Sequence, residues 1–289
     1  MKALITGAAG QLARQLIDTA PPGTDLKVVD RTECDITDLH AVERVIDAFR
    51  PDVVINTAAY TAVDAAEDAR DLAFLANARG AENVARSAER TGARMVHIST
   101  DYVFDGDRST PYPPDAPTNP LNVYGASKLE GEGLVLTAAP SSLVIRAGWL
   151  YSRTGKNFLK SILSALSASR PLRVVRDQVG CPTSANELAG IIWKASHDGL
   201  SGVYHWSNAG SASWYDFAVE IMKGAVQTGL IPKALPITGV GSDEYGSRAK
   251  RPRYSVLDST LLARKLNVTP TAWRDAVRAE LLRPLPTDP

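Results

Sequence analysis

The stretch "ITGAAGQLA", residues 5–13, joins a short apolar run to a segment in which apolar residues recur at helical spacing. Gly7, Gly10 and Ala13 stand in G-x-x-G-x-x-A spacing. Two glycines allow a tight turn and a close approach of the backbone to a pyrophosphate, and a small third residue lets the helix pack on a sheet. The first N–H groups of that helix attract phosphate oxygens. The spacing predicts a dinucleotide-binding turn, and a plain glycine-rich turn is the alternative.

The first half of the chain alternates apolar runs with helical segments. Strands are predicted over 2–7, 25–30, 51–59, 93–100 and 141–151, and helices over 11–20, 39–49, 71–92 and 123–138. Runs that are continuously apolar are typical of strands buried on both faces of a parallel sheet. The pattern predicts an α/β protein with a Rossmann-type, doubly wound parallel sheet and right-handed βαβ connections.

Beyond residue 151 the alternation of strands and helices becomes less regular. Residues 1–150 are predicted to form the dinucleotide-binding domain, which the chain rejoins over about 178–208, where "GVYHWSN" (202–208) is a candidate strand. Residues 151–177 and 209–289 are predicted to form a smaller, discontinuous C-terminal substrate lobe. No internal repeat is visible in the sequence.

The composition excludes several classes of protein. Lys and Arg together number 32, as do Asp and Glu, so no net charge favours nucleic acid or a membrane surface as partner. Two cysteines, Cys34 and Cys181, cannot form a disulfide framework, and four histidines without a C-x-x-C pair argue against structural zinc. The start has no signal-peptide pattern, and no apolar run reaches about 20 residues. We therefore expect a cytoplasmic protein.

Acidic and basic residues at the end of the second strand bear on the cofactor. Asp30 stands near the offset expected of an acid that binds the adenosine ribose hydroxyls, which favours NADH. Arg31 follows it, and a guanidinium there can hold a 2′-phosphate, which favours NADPH. Asp35 is placed either to reach the adenine amine or to cap the helix that starts at residue 39.

The stretch "VYGASK", residues 123–128, places a phenol and an ammonium one helical turn apart. Residues at i and i+4 share one face of a helix, with Cβ atoms roughly 5–6 Å apart. An ammonium so close to Tyr124 lowers the pKa of a phenol from its usual value of about 10. Tyr124 is therefore predicted to be a proton donor, and Lys128 the cation that lowers its pKa. The same spacing also arises by chance.

Three further stretches join this pair: "NTAAYTAVDAAE" (56–67), "STDYVFDG" (99–106) and "NVYGASKLEGE" (122–132). Together with the glycine turn they resemble the extended short-chain dehydrogenase/reductase family, and within it the dTDP-4-dehydrorhamnose reductases. The similarity extends to "RAGWLY" (146–151), "DQVGCPT" (177–183) and "RPRYSVLD" (251–258), and so covers nearly the whole chain. It implies that the C-terminal lobe binds a sugar nucleotide.

The resemblance also implies roles for individual residues. Those implied around the cofactor, NADPH or NADH, are Gly7, Gly10, Gln11, Leu12, Asp30, Arg31, Asp35, Ile36, Ala58, Ala59 and Tyr60. Tyr124, Lys128 and Thr100 form the implied catalytic set, with Ser99 as the alternative to Thr100. Asp101, Tyr102 and Trp149 border the sugar, and Arg251 is a candidate contact for the diphosphate. His97 and the aromatic residues of "WYDFAVEIM" (214–222) are interpreted as core packing.

The implied reaction is reduction of the C4 ketone of dTDP-4-dehydro-L-rhamnose. Tyr124 would protonate the ketone oxygen, and Thr100 would hydrogen-bond the carbonyl. Lys128 would lower the pKa of Tyr124 and hold the nicotinamide ribose. Two alternatives stay open. One is a sister 4-ketoreductase whose product is another sugar, of the 6-deoxy-L-talose or streptose type. The other is a non-catalytic regulatory subunit on the same fold.

The sequence departs from the family pattern at two positions. Ala13 stands where the family often has Gly, which is a mild change because Ala is also small. Ala65 in "AVDAAE" replaces a family Lys, so any role of that ammonium is in doubt. Mg²⁺ is known in some relatives, but no carboxylate cluster here can be assigned to it, so no metal ligand is predicted. The expected partner is a small-molecule nucleotide sugar, and a homodimer is an option.

Overall fold

The computed structural model describes residues 1–283, in which short strands alternate with helices. The strands are β1 (Lys2–Thr6), β2 (Asp25–Val29), β3 (Val53–Asn56), β4 (Arg94–Thr100), β5 (Leu143–Ala147), β6 (Leu150–Tyr151), β7 (Leu172–Val175), β8 (Val179–Gly180), β9 (Thr183–Ser184), β10 (Gly202–His205), β11 (Ala212–Ser213) and β12 (Ile237–Val240). The helices are α1 (Gln11–Asp18), α2 (Leu39–Phe49), α3 (Val63–Ala66), α4 (Arg70–Phe74), α5 (Ala81–Thr91), α6 (Val123–Ala138), α7 (Phe158–Ser167), α8 (Ala185–His197), α9 (Trp214–Gln227), α10 (Ser242–Tyr245), α11 (Thr260–Leu266) and α12 (Trp273–Leu282).

The central sheet has six parallel strands in the order β10-β5-β4-β3-β1-β2. Strand β1 lies between β2 and β3, so the direction in which strands are added reverses beside it. Ligands of doubly wound sheets bind at the carboxyl ends of the strands beside such a reversal. The predicted Rossmann-type fold class is confirmed. A ligand site is expected at the loops after β1, β3 and β4.

The apolar runs of the strands are explained by burial on both faces. Along β1, Ala3 and Ile5 pack on one face, against helices α1, α8 and α11, while Leu4 packs on the other, against α2, α5 and α6. Strands β3, β4 and β5 alternate in the same way. Each side chain leaves water, and that burial contributes roughly 25 cal/mol per Å² of apolar surface.

A second apolar cluster lies outside the sheet and is built from later parts of the chain. It joins β7 and α7 to α9 and α12, with Tyr151, Phe217 and Trp273 at its centre. Strand β10 pairs with β5, as the sequence suggested for 202–208. The division into domains stays a prediction. Helix α11, inside the predicted 209–289 segment, packs on the sheet, and residues 284–289 lie outside the described part.

The helix predicted over 71–92 contains an irregular turn. Between α4 and α5, residues Leu75–Gly80 form a π-helical turn, a feature often found near functional sites. This turn carries the buried Asn77, whose Oδ1 accepts from the N–H of Tyr60 at 2.7 Å. Its Nδ2 donates to the Tyr60 carbonyl at 3.0 Å and to Ser127 Oγ at 2.9 Å. The turn thereby holds the loop after β3 against α6.

Two glycines of α6 give a matched test of this contact. A Cβ on Gly131 would lie 2.1 Å from the carbonyl oxygen of Asn77, whereas a Cβ on the exposed Gly133 meets nothing within 4 Å. We expect Gly131→Ala to lower the free energy of unfolding by about 1–3 kcal/mol through overpacking. Gly133→Ala should leave it unchanged or raise it by up to about 1 kcal/mol. Urea unfolding of both variants checks this, and equal midpoints would contradict the contact.

Candidate active site

A cavity of about 820 Å³ opens at the carboxyl edge of the sheet. It is bordered by the loops after β1, β3, β4 and β5, by the first turns of α6, and by residues near α7 and α9. Ten of the predicted site residues line it: Gly10, Gln11, Leu12, Ala59, Thr100, Asp101, Tyr102, Tyr124, Lys128 and Trp149. The other predicted site residues are not part of its lining: Gly7, Asp30, Arg31, Asp35, Ile36, Ala58, Tyr60 and Arg251.

The glycine turn approaches the next strand so closely that a side chain is excluded. Gly7 has φ +83°, and a Cβ there would lie 2.8 Å from the backbone nitrogen of Ala58. Gly10 precedes the first residue of α1, where no side chain caps the helix and no acidic residue stands in the first turn. Ala13 is fully buried against the sheet. The N-terminus of α1 therefore presents positive dipole charge to the cavity without a protein carboxylate to neutralise it.

Gln11 is engaged by a loop from the second half of the chain. Its Nε2 donates to the Leu150 carbonyl at 3.1 Å, and its Oε1 accepts from Ser152 Oγ at 3.1 Å and Asn157 Nδ2 at 3.0 Å. The side chain of Gln11 therefore ties loop 152–157 to the glycine turn, and its predicted contact with a pyrophosphate stays a prediction.

Asp30, Arg31 and Asp35 are organised by local hydrogen bonds. Asp30 Oδ1 accepts from the Thr32 hydroxyl at 2.6 Å and the Thr32 N–H at 2.8 Å, and these bonds lower the pKa of Asp30. The exposed Arg31 donates from Nε to Asp35 Oδ2 at 3.0 Å. Asp38 accepts from the N–H of His40 and caps α2, so the alternative that Asp35 caps this helix is wrong.

Ile36 is only 6% exposed, and its methyl group occupies the space that a side chain at position 80 would need. A Cβ on Gly80 would lie 2.8 Å from Ile36 Cδ1. Ile36 is therefore a core residue of the face that α2 and α5 cover, and its predicted position beside the adenosine stays a prediction.

The start of α6 fixes the predicted catalytic tyrosine. Asn122 Oδ1 accepts from the N–H of Gly125 at 2.8 Å and caps the helix. A Cβ on Gly125 would lie 2.1 Å from the Tyr102 carbonyl oxygen, so only glycine lets this turn rest on the loop after β4. The rings of Tyr102 and Tyr124 meet edge to face at 6.0 Å between centroids. The half-buried Tyr124 thus enters the cavity from a rigid helix start.

The expected lowering of the Tyr124 pKa is wrong for this structure. Burial raises the pKa of Tyr124 to about 12, and the Asp101 carboxylate adds to this rise while the Thr100 hydroxyl opposes it. Lys128 does not contribute, because its Nζ is drawn towards β4 instead, where it donates to the Ile98 carbonyl at 2.6 Å. Burial also lowers the pKa of Lys128 to about 8.

Thr100 and Asp101 form a buried pair behind the tyrosine. Thr100 Oγ1 donates to Asp101 Oδ1 at 3.1 Å, and Ser255 Oγ donates to Asp101 Oδ2 at 2.6 Å. Burial raises the pKa of Asp101 to about 6, because its hydrogen bonds only partly offset the lost hydration. The hydroxyl of Ser99, the alternative to Thr100, donates to the buried Glu132.

Trp149 stands in a left-handed backbone conformation, φ +52°, and stacks on Trp214 of α9. Their ring centroids are 3.5 Å apart with an angle of 6° between the planes. A Cβ on Gly180 would lie 2.5 Å from the Trp149 ring, so this glycine makes room for the indole. Trp214, which the sequence suggested was only packing, also lines the cavity.

Arg251 is bound to a carboxylate and lies at a neighbouring cavity of about 390 Å³. Its two terminal nitrogens donate to Asp64 Oδ1 at 3.0 Å and Oδ2 at 2.7 Å. Phe158 and Trp214 border both cavities. The guanidinium therefore stands beside the main cavity, and a diphosphate would compete with Asp64 for it.

Sequence reasoning missed several residues that line the main cavity, among them Lys156, Lys160 and Trp214. The two lysines lie in "GKNFLK" (155–160), Lys156 before α7 and Lys160 in its first turn, and an exposed lysine carries no signal of its own. Within residues 1–283 no group of three or more His, Cys, Asp or Glu side chains is arranged to hold a metal ion. None of the helices in that range has the length and apolarity that a membrane crossing requires.

The chain is similar to known proteins over nearly its whole length. A family model described as the RmlD substrate binding domain matches residues 1–284. A dTDP-4-dehydrorhamnose reductase of Aggregatibacter actinomycetemcomitans is 37% identical, over 95% of this chain and 96% of its own length. A probable dTDP-4,6-dihydroxy-2-methyloxan-3-one 4-ketoreductase of Streptomyces antibioticus is 40% identical, over 96% and 94%.

A solved structure also resembles the whole chain. It is the dTDP-4-dehydrorhamnose reductase of Bacillus anthracis in complex with NADP, with 38% identity, a TM-score of 0.92, and coverage of 97% of this chain and 98% of that one. Matches of this length and identity show that the protein belongs to the dTDP-4-dehydrorhamnose reductase family, described as the RmlD substrate binding domain family.

Proposed function

We propose that the protein reduces the C4 ketone of dTDP-4-dehydro-L-rhamnose to dTDP-L-rhamnose with NADH or NADPH, a step in nucleotide-sugar and polysaccharide biosynthesis. The observation that carries the proposal is the cavity in which the glycine turn, Thr100, Tyr124 and Lys128 meet at the carboxyl edge of the sheet. Membership of the reductase family supports the same reaction.

The residues around the glycine turn fit a dinucleotide. The absence of room for a Cβ at Gly7 and the uncapped start of α1 make a cradle for a pyrophosphate. When bound, the reduced dinucleotide supplies the hydride. Asp30 has one carboxylate oxygen outside its local turn, and the exposed Arg31 stands beside it, so both NADH and NADPH have a candidate partner for the adenosine ribose.

Three side chains of the chain would serve the carbonyl. Tyr124 would donate its proton to the oxygen, and its raised pKa keeps the phenol protonated, which is the form a donor needs. Thr100 would turn its hydroxyl from Asp101 to the oxygen as negative charge develops there. Lys128 would direct an N–H into the cavity, to the hydroxyls of the nicotinamide ribose.

The sugar and its diphosphate would lie between the two cavities. The stacked Trp149 and Trp214 offer an apolar wall to the 6-deoxy side of the sugar, and Asp101 and Tyr102 border it from the loop after β4. Arg251 would contact the diphosphate by exchanging Asp64 for a phosphate oxygen, which gains a charge-assisted, bidentate contact.

A sister 4-ketoreductase is the second candidate, because the Streptomyces antibioticus relative carries the name of such an enzyme at 40% identity. Which face of the ketone meets the hydride decides the product, and this depends on how the sugar lies against Trp149.

The test supplies dTDP-4-dehydro-L-rhamnose with NADH or NADPH, follows the loss of dinucleotide absorbance, and identifies the product sugar by NMR. We expect consumption of dinucleotide and dTDP-L-rhamnose as product. A 6-deoxy-L-talose product would select the sister reductase. No consumption of either dinucleotide, despite tight binding, would overturn the enzymatic proposal in favour of a regulatory subunit.

A further inference from the structure

A row of four buried polar side chains leads from the first strand to the lysine of the cavity. Thr6 on β1, Asn56 on β3, His97 on β4 and Lys128 on α6 are each at most 2% exposed. Thr6 Oγ1 and Asn56 Oδ1 are 2.7 Å apart, Asn56 Nδ2 and His97 Nδ1 are 3.2 Å apart, and His97 Nε2 and Lys128 Nζ are 3.4 Å apart. Most of these side chains can both donate and accept a hydrogen bond. Which group donates in each bond is therefore defined only if one neighbour can act solely as a donor.

The fixed donor is a backbone N–H. The N–H of Ala58 donates to Asn56 Oδ1 at 3.2 Å, and the Thr6 hydroxyl donates to the same oxygen. A backbone N–H cannot accept, so the side-chain oxygen of Asn56 must face Ala58 and its NH₂ group must face His97. Asn56 therefore donates to His97 Nδ1, which must carry a lone pair.

The consequence reaches Lys128. Burial holds the pKa of His97 well below its usual range, so the ring is neutral and carries one proton whether or not Lys128 is charged. With a lone pair on Nδ1, that proton is on Nε2 and points at Lys128 Nζ. An ammonium has only hydrogens to offer there, whereas a neutral amine has a lone pair that accepts the N–H.

We propose that His97 is a positioning residue: fixed by Asn56 as the Nε2–H tautomer, it donates to Lys128 Nζ and favours the neutral amine of Lys128 in the ligand-free protein. The neutral amine keeps two N–H bonds. One donates to the Ile98 carbonyl at 2.6 Å, and the other is available to a group in the cavity, which Lys128 lines.

Other groups around Lys128 act on its protonation as well. Glu132, one turn further along α6, favours the ammonium, but its carboxylate is already paired with Arg146 of β5 at 2.7 Å. Tyr124 lies one turn earlier on α6, β3 presents the neutral Asn56, and the π-helical turn presents the neutral Asn77 to Ser127. His97 is thus the titratable group of β4 that meets Nζ directly.

The inference agrees with the directions in which the pKa values of Lys128 and Tyr124 are shifted. It deepens the proposed function, and its consequence for catalysis rests on that function. The pKa of Lys128 is lowered to about 8, and that of Tyr124 is raised to about 12. Above about pH 8, where the amine form predominates, Lys128 carries no charge that could lower the pKa of the phenol. In that form Lys128 would act on Tyr124 and the ribose by position and hydrogen bonding alone.

The first test observes the tautomer directly in the ligand-free, full-length protein. Long-range ¹H–¹⁵N correlation spectra of the ¹⁵N-labelled protein distinguish protonated from unprotonated ring nitrogens, and the His97 signals are those lost in His97→Gln. We expect Nδ1 unprotonated and Nε2 protonated, with no titration between about pH 6 and about pH 9, although a free histidine titrates near 6.5. A proton on His97 Nδ1 would overturn the proposal.

The second test changes the direction of donation. In Asn56→Asp, a carboxylate faces His97 and accepts from Nδ1–H, which leaves Nε2 as an acceptor for an ammonium. The midpoint of the Lys128 Cε signal, followed in ¹³C-lysine-labelled protein, should lie near 8 in the wild type and rise by at least about one unit in the variant. A wild-type midpoint near the usual 10.5, or no rise in Asn56→Asp, would contradict the inference.

The matched control is Ser127→Ala, which removes a buried hydroxyl next to Lys128 but outside the row, since Ser127 bonds Asn77 and the Tyr124 carbonyl. Its Lys128 midpoint should stay at the wild-type value. If Asn56→Asp does not fold, the wild-type tautomer and midpoint still decide the question. Neither readout needs substrate, so a failed turnover assay with the expected tautomer would reject the proposed reaction alone.

Discussion

Replacing Tyr124 with Phe is expected to lower kcat/KM for ketone reduction by about 10²–10⁴-fold, the usual contribution of a positioned proton donor. The hydroxyl is the group that would protonate the developing oxyanion, and Phe has nothing to replace it. Because the ring stays, the edge-to-face contact with Tyr102 and the start of α6 should persist. Steady-state kinetics and the Kd of the dinucleotide, measured by fluorescence titration, check both parts of the expectation.

Tyr102→Phe is the matched control, because it removes another phenol hydroxyl from the same cavity. That hydroxyl faces Arg251, and the proposed reaction gives it no part in protonating the ketone oxygen. We expect Tyr102→Phe to change KM more than kcat, whereas Tyr124→Phe should change kcat. Near-full turnover by Tyr124→Phe, or an equal loss of kcat in both variants, would show that another group supplies the proton.

The parts of the fold that depend on neighbours along the chain were predictable. The strand ending at Thr6, the turn with Gly7 and Gly10, and the helix over 123–138 follow from apolar runs, glycine spacing and a cap, all of which act within a few residues. The meeting of Thr100, Tyr124 and Lys128 in one cavity was implied by the resemblance to the reductase family, and for Thr100 it also agrees with the rule that sites lie at the carboxyl edge of a parallel sheet.

The errors concern contacts between residues far apart in the sequence. The spacing of Tyr124 and Lys128 places both on one face of α6, but β4 decides where the ammonium points, through the Ile98 carbonyl. Arg251 is paired with Asp64, 187 positions away, and Trp214 reaches the cavity because it stacks on Trp149. No local pattern reports such partners, and burial, which sets the pKa directions here, is a property of the packed molecule.

The pH dependence of stability should show the cost of burying Asp101. Its pKa is about 6 in the folded protein and close to 3.8 in an unfolded chain, so the folded state binds the proton more tightly. The group therefore favours folding most below about pH 4, and this contribution is lost as the pH rises through 6. A shift of about two units corresponds to ~3 kcal/mol at neutral pH, as an order of magnitude. The ionised carboxylate is retained at this cost, which agrees with the proposal that Asp101 borders the substrate.

Asp101→Asn isolates this contribution because an amide resembles the protonated acid. We expect the variant to be more stable than the wild type at pH 7, by up to ~3 kcal/mol, and the difference to vanish towards about pH 4. Urea unfolding of both proteins between those limits measures it. The control is Asp105→Asn, since a hydrogen bond from Tyr112 lowers the pKa of Asp105. That variant should be less stable than the wild type at pH 7, with a deficit that shrinks in acid. If Asp101→Asn is destabilised equally at every pH, the carboxylate of Asp101 is held by its hydrogen bonds with Ser255 and Thr100 at no net electrostatic cost.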